Sequence, residues 1–250
     1  MTVNTTSLCR TRIKICGLTR PQDVDAAVDS GADAIWIVFY APSPRSVSIA
    51  QAARLARFVP AWVSLVGLFV NTPQEEILRV ANQVGLSHIQ LHGDEQPQQY
   101  AGLGRPIVKA IRLPASAGPP SDSAGPPSAP STPAAAIAQT HLLESETWRE
   151  RAQAVLFDAD STGFGGSGHV FDWGILSDMS RSLGRHWVLS GGLRLENIAQ
   201  ALATLSPPAI DVSSGVEQVI NGRVQKGVKD PVRMRAFVQA VREFDLVRPT

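Results

Sequence analysis

Cysteine is scarce in this chain: Cys9 and Cys16 are the only two in 250 residues. The first sits in a polar N-terminal stretch and the second ends an apolar run, which is no disulfide framework, and a reducing cytoplasm suits such a chain. Charge of one sign is also missing. The formal balance is +1 and the arginines are scattered, which excludes the clustered basic face that nucleic-acid binding requires. No apolar run is long enough to span a bilayer, and the opening Met1-Thr2-Val3-Asn4 has no apolar core, so neither a membrane nor secretion is indicated. Histidine, cysteine and aspartate nowhere gather into a ligand set, and no GxGxxG fingerprint occurs.

What the chain does have is rhythm. With 44% hydrophobic residues it can build a large core, and its apolar runs of strand length alternate with helical patterns from end to end. Strands are expected at 12–16, 34–39, 63–69, 88–91, 106–111, 154–158, 186–190 and 209–213. Helices are expected at 21–30, 48–58, 73–84, 95–103, roughly 134–151, 172–182, 194–204 and 230–243, with Pro21, Pro73 and Pro231 placed at first turns. Eight strand-then-helix units make an α/β protein, and eight is the number that closes a single (β/α)8 TIM barrel over 1–250. An open doubly wound sheet is the alternative. Residues 114–133 break the rhythm: proline, alanine and serine leave nothing to bury, so a disordered insertion after strand five is expected there, with a flexible tail over 1–10.

In such a barrel the C-terminal strand ends share one mouth, and chemistry-bearing residues stand at those ends here. Cys16 closes strand one; it is either a base or a buried structural cysteine. Asp158 follows three apolar residues at the end of strand six, as an acid or as a cap for the next loop. Gly165-Gly166-Ser167-Gly168 after it either wraps a ligand or forms a turn. Ser190-Gly191-Gly192 and Ser213-Ser214-Gly215 follow strands seven and eight, where phosphate sites are built from backbone N–H groups. Plain turn glycines explain one such loop more easily than two. Arg45, stiffened by Pro42 and Pro44 after strand two, suits a planar carboxylate, or is an ordinary surface arginine. Gln90 and His92 flank Leu91 and point to the same side, and such a histidine packs more often than it reacts.

Taken in order, these motifs resemble the phosphoribosylanthranilate isomerases. The resemblance runs through Lys14-Ile15-Cys16-Gly17, Ser43-Pro44-Arg45, Val66-Gly67-Leu68-Phe69-Val70-Asn71, Gln90-Leu91-His92-Gly93 and Val108-Lys109-Ala110-Ile111-Arg112. It continues with Phe171-Asp172-Trp173, Gly191-Gly192-Leu193, Asp211-Val212-Ser213-Ser214-Gly215 and Gly227-Val228-Lys229-Asp230, and it covers all but the first ten residues and the 114–133 insertion. It implies an Amadori rearrangement in tryptophan biosynthesis, with Asp158 as general acid and Cys16 as general base. It also implies Arg45 at the anthranilate carboxylate, Asp211 near the anthranilate nitrogen, and Gln90 and His92 as further substrate contacts. Gly191, Gly192, Ser213, Ser214 and Gly215 would hold the phosphate of a small-molecule phosphosugar. No cofactor or metal is implied, and a monomer or homodimer in the cytoplasm is expected. Three departures stand out: Trp36 where the family usually has glycine, Ser190 for a common alanine, and a longer stretch at 218–225.

Two other functions compete. One is the dual-substrate isomerase that also serves histidine synthesis, which carries aspartate where Cys16 stands; the other is a catalytically silent phosphate-binding barrel. Limited proteolysis is expected to cut first within 114–133, and a chain lacking that segment should keep its turnover. Loss of catalysis on deletion would show that the segment belongs to the working enzyme.

Overall fold

The computed structural model describes residues 10–114, 140, 143–148, 150–159, 171, 173–176 and 184–247. The expected tail, nearly all of the 114–133 insertion, the 165–168 glycine run and parts of the helices at 134–151 and 172–182 lie outside the described residues. Eight parallel strands close into a barrel in sequence order. They are β1 (Arg12–Cys16), β2 (Ala34–Val38), β3 (Ser64–Phe69), β4 (His88–Leu91), β5 (Ile107–Leu113), β6 (Ala154–Ala159), β7 (Trp187–Leu189) and β8 (Ala209–Val212). Parallel pairing of β8 with β1 closes the barrel, with Arg12 opposite Ala209 and Lys14 opposite Asp211. The open-sheet alternative is thereby ruled out.

Strands buried on both faces need apolar residues on both, which is why β2 reads Ala-Ile-Trp-Ile-Val and β3 Ser-Leu-Val-Gly-Leu-Phe. Alternation then sorts them into two cores. Ile13, Ile15, Ile35, Ile37, Leu65 and Phe69 face outward and pack with the helices. Cys16, Trp36, Val38, Val66, Leu68, Val70, Val108, Ala110, Leu156 and Val188 fill the lumen. Since Cys16 belongs to the luminal set, the other residues two steps away on the same strand, Lys14 on β1 and Asp158 after Leu156 on β6, share that face.

Helices that cover the outside include α1 (Pro21–Asp29), α2 (Ile49–Ala56), α3 (Gln74–Val84), α4 (Ile198–Leu205) and α5 (Pro231–Val247). Proline opens α1, Ser48 Oγ accepts from Gln51 N at the start of α2, and Gly85 ends α3 at φ 80°. Pro73 caps α3 from just outside it rather than beginning it. Asp230 Oδ1 accepts from the N–H groups of Val232 and Arg233 and so caps α5.

Two expectations change. The helix expected over 95–103 is only a 3-10 turn, Pro97–Tyr100. Proline and the nearby Gly102 and Gly104 leave no length for a helix, and Glu95 is engaged elsewhere: its carboxylate takes Asn71 N, Gly93 N and Lys109 Nζ. The longer stretch after Glu217 is a β-hairpin, β9 (Glu217–Ile220) and β10 (Arg223–Lys229), laid over the end of β8. Its turn is Asn221-Gly222, at φ 51° and 73°, the left-handed pair that such two-residue turns demand. No helix among the described residues is long and apolar enough to cross a membrane.

Candidate active site

The strand ends deliver the expected residues to one rim. Cys16 is the last residue of β1, Asp158 the last but one of β6, Gln90 the last but one of β4, and Asp211 the last but one of β8. His92, Ser190 and Ser213 each stand one step past their strands, and Arg45 lies between β2 and α2. All but Ser213 are buried. Gly17 turns the chain away from β1 at φ 76°, and any side chain there would strike the Arg45 stem.

Contacts tie the rim together on both sides of the mouth. Ser213 Oγ donates to the Cys16 carbonyl at 3.2 Å, so the loop after β8 leans on the end of β1. On the far side, Gly191 sits so close to Asp158 and Ala159 that an added Cβ would fall 2.7 Å from Ala159 N. Ala159 N–H donates to Asp158 Oδ1 at 2.9 Å, while Asp158 Oδ2 lies 3.4 Å from His92 Nε2. Gln90 Nε2 and His92 Nδ1 are 2.8 Å apart. Below Cys16, Lys14 Nζ pairs with Asp211 Oδ2 at 2.7 Å and lies 3.5 Å from the centre of the Trp36 ring. Ser190 Oγ also donates to Asp211 Oδ2, leaving Oδ1 buried without a hydrogen-bond partner among the described residues.

Burial pushes the Cys16 thiol up to about 11. Lys14, Lys229 and Arg45 pull the other way, whereas Asp211 adds to the rise. A second charged cluster stands behind the mouth. Arg45 grips Glu217 with Nε and Nη2 at 2.7 and 2.9 Å, a two-pronged pair at the root of the hairpin. Glu217 Oε1 also takes Gly227 N–H at 2.8 Å and Lys229 Nζ at 3.3 Å. Burial alone would raise the Glu217 carboxyl, but Arg45, Lys229 and the Gly227 N–H outweigh it and hold it below the usual range. Lys229 is lowered by its own burial, against the pull of Glu217.

Beside the mouth is a cleft of about 310 Å³. Gly192 and Leu193 from the loop after β7 and Ser214 and Gly215 from the loop after β8 line it, with Arg45, Arg194, Lys226 and Arg233 supplying positive charge and Glu196 a single negative one. Gly191 and Gly192 take φ 84° and 63°, and a side chain at Gly215 would collide with the Leu193 carbonyl. Glycine there lets the two loops touch and exposes backbone donors to an anion.

Known proteins are similar to this chain in sequence and fold. The sequence model of the N-(5'phosphoribosyl)anthranilate (PRA) isomerase family matches residues 13–125 and 133–240. The chain belongs to this family. It is 45% identical over 240 residues to the N-(5'-phosphoribosyl)anthranilate isomerase of Leptothrix cholodnii, covering 96% of this chain and 94% of that one. It is 43% identical over 248 residues to that of Ralstonia nicotianae, with 95% of each chain covered. Among solved structures, phosphoribosyl anthranilate isomerase from Thermotoga maritima superposes with a TM-score of 0.75 at 33% identity, over 93% of this chain and 99% of that one. A phosphoribosyl anthranilate isomerase in complex with reduced 1-(o-carboxyphenylamino)-1-deoxyribulose 5-phosphate gives 0.71 at 31% identity, with the same coverage.

Three residues of this PRA isomerase barrel were not singled out from sequence: Lys14 and Lys229, which fell inside quoted motifs, and Glu217. Lys14 had a signal, since a lysine two residues before Cys16 in an apolar strand must share its luminal face. Glu217 and Lys229 had none, because their partnership depends on a hairpin that folds back. The Asn221-Gly222 pair that makes that hairpin was legible and was not used.

Removing the Glu217 charge should expose how much the cluster matters. Because the folded carboxyl is held low, its stabilisation is present above the unfolded value near 4.3 and is lost as pH falls through the folded value. Glu217→Gln is expected to lower stability by about 3 kcal/mol at pH 7, the cost of leaving buried Arg45 and Lys229 unpaired. The gap to the wild type should narrow in urea unfolding at acid pH. A gap unchanged by pH would show that the carboxylate's charge is not what stabilises the hairpin.

Proposed function

We propose that this chain isomerises N-(5'-phosphoribosyl)anthranilate to 1-(2-carboxyphenylamino)-1-deoxyribulose 5-phosphate, a step of tryptophan biosynthesis. Family membership carries the reading, and the convergence of Cys16 and Asp158 on one luminal rim supports it. Asp158 gives a proton to the ribose ring oxygen. As the C1–O bond breaks, the nitrogen lone pair forms an iminium and the sugar opens. Cys16 then takes the C2 proton, giving an enolamine; C1 gains a proton, the C2 hydroxyl loses one, and the ketone results. The base is the Cys16 thiolate, formed by loss of the thiol proton to solvent, and burial disfavours that form. The iminium supplies a positive charge in front of it and acidifies the C2–H bond at the same moment, so each group acts when the other has made its task easy.

Binding follows the same division. The loops of Gly191-Gly192 and Ser213-Ser214-Gly215 hold the phosphate, helped by the cations of the adjoining cleft. Asp211 Oδ1, a buried acceptor with no partner among the described residues, receives the anthranilate N–H. Arg45, its fork fixed by Glu217, faces the carboxylate at little entropic cost. All of these residues come from one chain, so a monomer or a homodimer serves equally; a dimer is named for the Thermotoga maritima protein. A cytoplasmic setting keeps the Cys16 thiol reduced. The histidine-pathway reading is disfavoured by cysteine, rather than aspartate, at the end of β1.

Cys16→Ser and Asp158→Asn are each expected to lower kcat by about 10²–10⁴-fold with the fold intact, followed by the fluorescence loss of phosphoribosylanthranilate. Near-full activity in either variant would remove that residue from the mechanism. Arg45→Lys keeps a charge for Glu217 but loses the fork, and should raise KM about tenfold, the worth of one charged hydrogen bond. An unaltered KM would refute the carboxylate role.

A further inference from the structure

Gln90 and His92 stand together beside Asp158, and the two polar atoms of the ring face different groups. An imidazole has two polar atoms. In His92 one of them, Nδ1, lies 2.8 Å from Gln90 Nε2, and the other, Nε2, faces Asp158 Oδ2 at 3.4 Å. Nε2 has no hydrogen-bond partner among the described residues, and Asp158 is the carboxylate that it faces. All three side chains are buried, with Gln90 fully so. The strand enforces the pairing: Gln90 and His92 are two apart at the end of β4, while Leu91 between them points outward into the helix-side core.

The chemistry of the amide then decides the state of the ring. A Gln90 N–H can only donate, so Nδ1 must accept, and the single proton of the neutral imidazole resides on Nε2. A second ring proton would put two donors face to face. We infer that His92 is a positioning residue for the general acid: Gln90 holds its ring in the Nε2–H form, and that N–H fixes the orientation of the Asp158 carboxyl at the mouth. Ala159 N–H holds Oδ1, and His92 Nε2 faces Oδ2 from the other side. A spacing of 3.4 Å is long for a hydrogen bond, as such contacts are before substrate draws the acid forward. Arg112, the register partner of Asp158 on β5, pairs with Asp94.

This rests on Asp158 being the acid, and the test separates the two claims. His92→Ala should lower kcat about 10–100-fold, the cost of a misplaced catalytic group, with KM within about threefold. His92→Gln, whose amide N–H reaches the place of Nε2, should recover most of the loss. In an Asp158→Asn background His92→Ala should change kcat by less than about threefold, since a residue acting only through another adds nothing once that one is gone. Nitrogen-15 NMR of the wild-type enzyme should show His92 protonated on Nε2 and bare on Nδ1. A raised KM with kcat held, equal losses in both backgrounds, or a protonated Nδ1 would each overturn the inference. Full activity of Asp158→Asn alone would instead remove the reading beneath it.

Discussion

When β8 pairs in parallel with β1, setting Lys14 opposite Asp211, the sheet loses its last free edges and every strand must end at the same rim. That single closure brings residues from opposite ends of the chain into contact. Cys16 is held through its carbonyl by Ser213, and the ammonium beneath it is matched by a carboxylate that arrives nearly two hundred residues later. Without closure, Lys14 and Asp211 would each be a buried charge with no counterpart, at a cost of several kcal/mol per ion. Barrel closure and the charge balance of the lumen are therefore one event.

The lumen is graded along its axis. Val66, Leu68, Val108, Ala110, Leu156 and Val188 make an apolar interior, while the rim carries paired acids, bases and glycine loops. Polar groups at such a boundary interact strongly, because few water molecules screen them. The same burial that strengthens them disfavours a thiolate at Cys16.

Behind the rim, the hairpin acts as a clamp. Glu217 and Lys229 at its base gather Arg45, Gly227 N–H and the Ser213 carbonyl, and Asp23 on α1 receives both Arg20 and the Lys229 N–H. The loop after β2, the loop after β8 and the first helix are thus held by one buried network. Arg45 is presented rigidly to the mouth because its Nε edge is already occupied. The exposed Val219, Ile220 and Val224 further out on the hairpin take no part in this clamp.

Strand order, barrel class and the rim positions of Cys16, Asp158, Arg45 and Asp211 were legible in the sequence. Buried parallel strands write themselves as apolar runs with period-two alternation, and that pattern is local. The failures were also local in origin: the segment at 95–103 has helical spacing, yet proline and the demands on the Glu95 carboxylate stop it at one turn. What no linear pattern encodes is which charges end up facing one another. The pairing of Arg45 with Glu217 and of Lys14 with Asp211, and the approach of His92 to Asp158, depend on register and closure. Side chains two apart on a strand are assigned a face by the chain itself, but their partners across the barrel are chosen only when the sheet meets its own first edge.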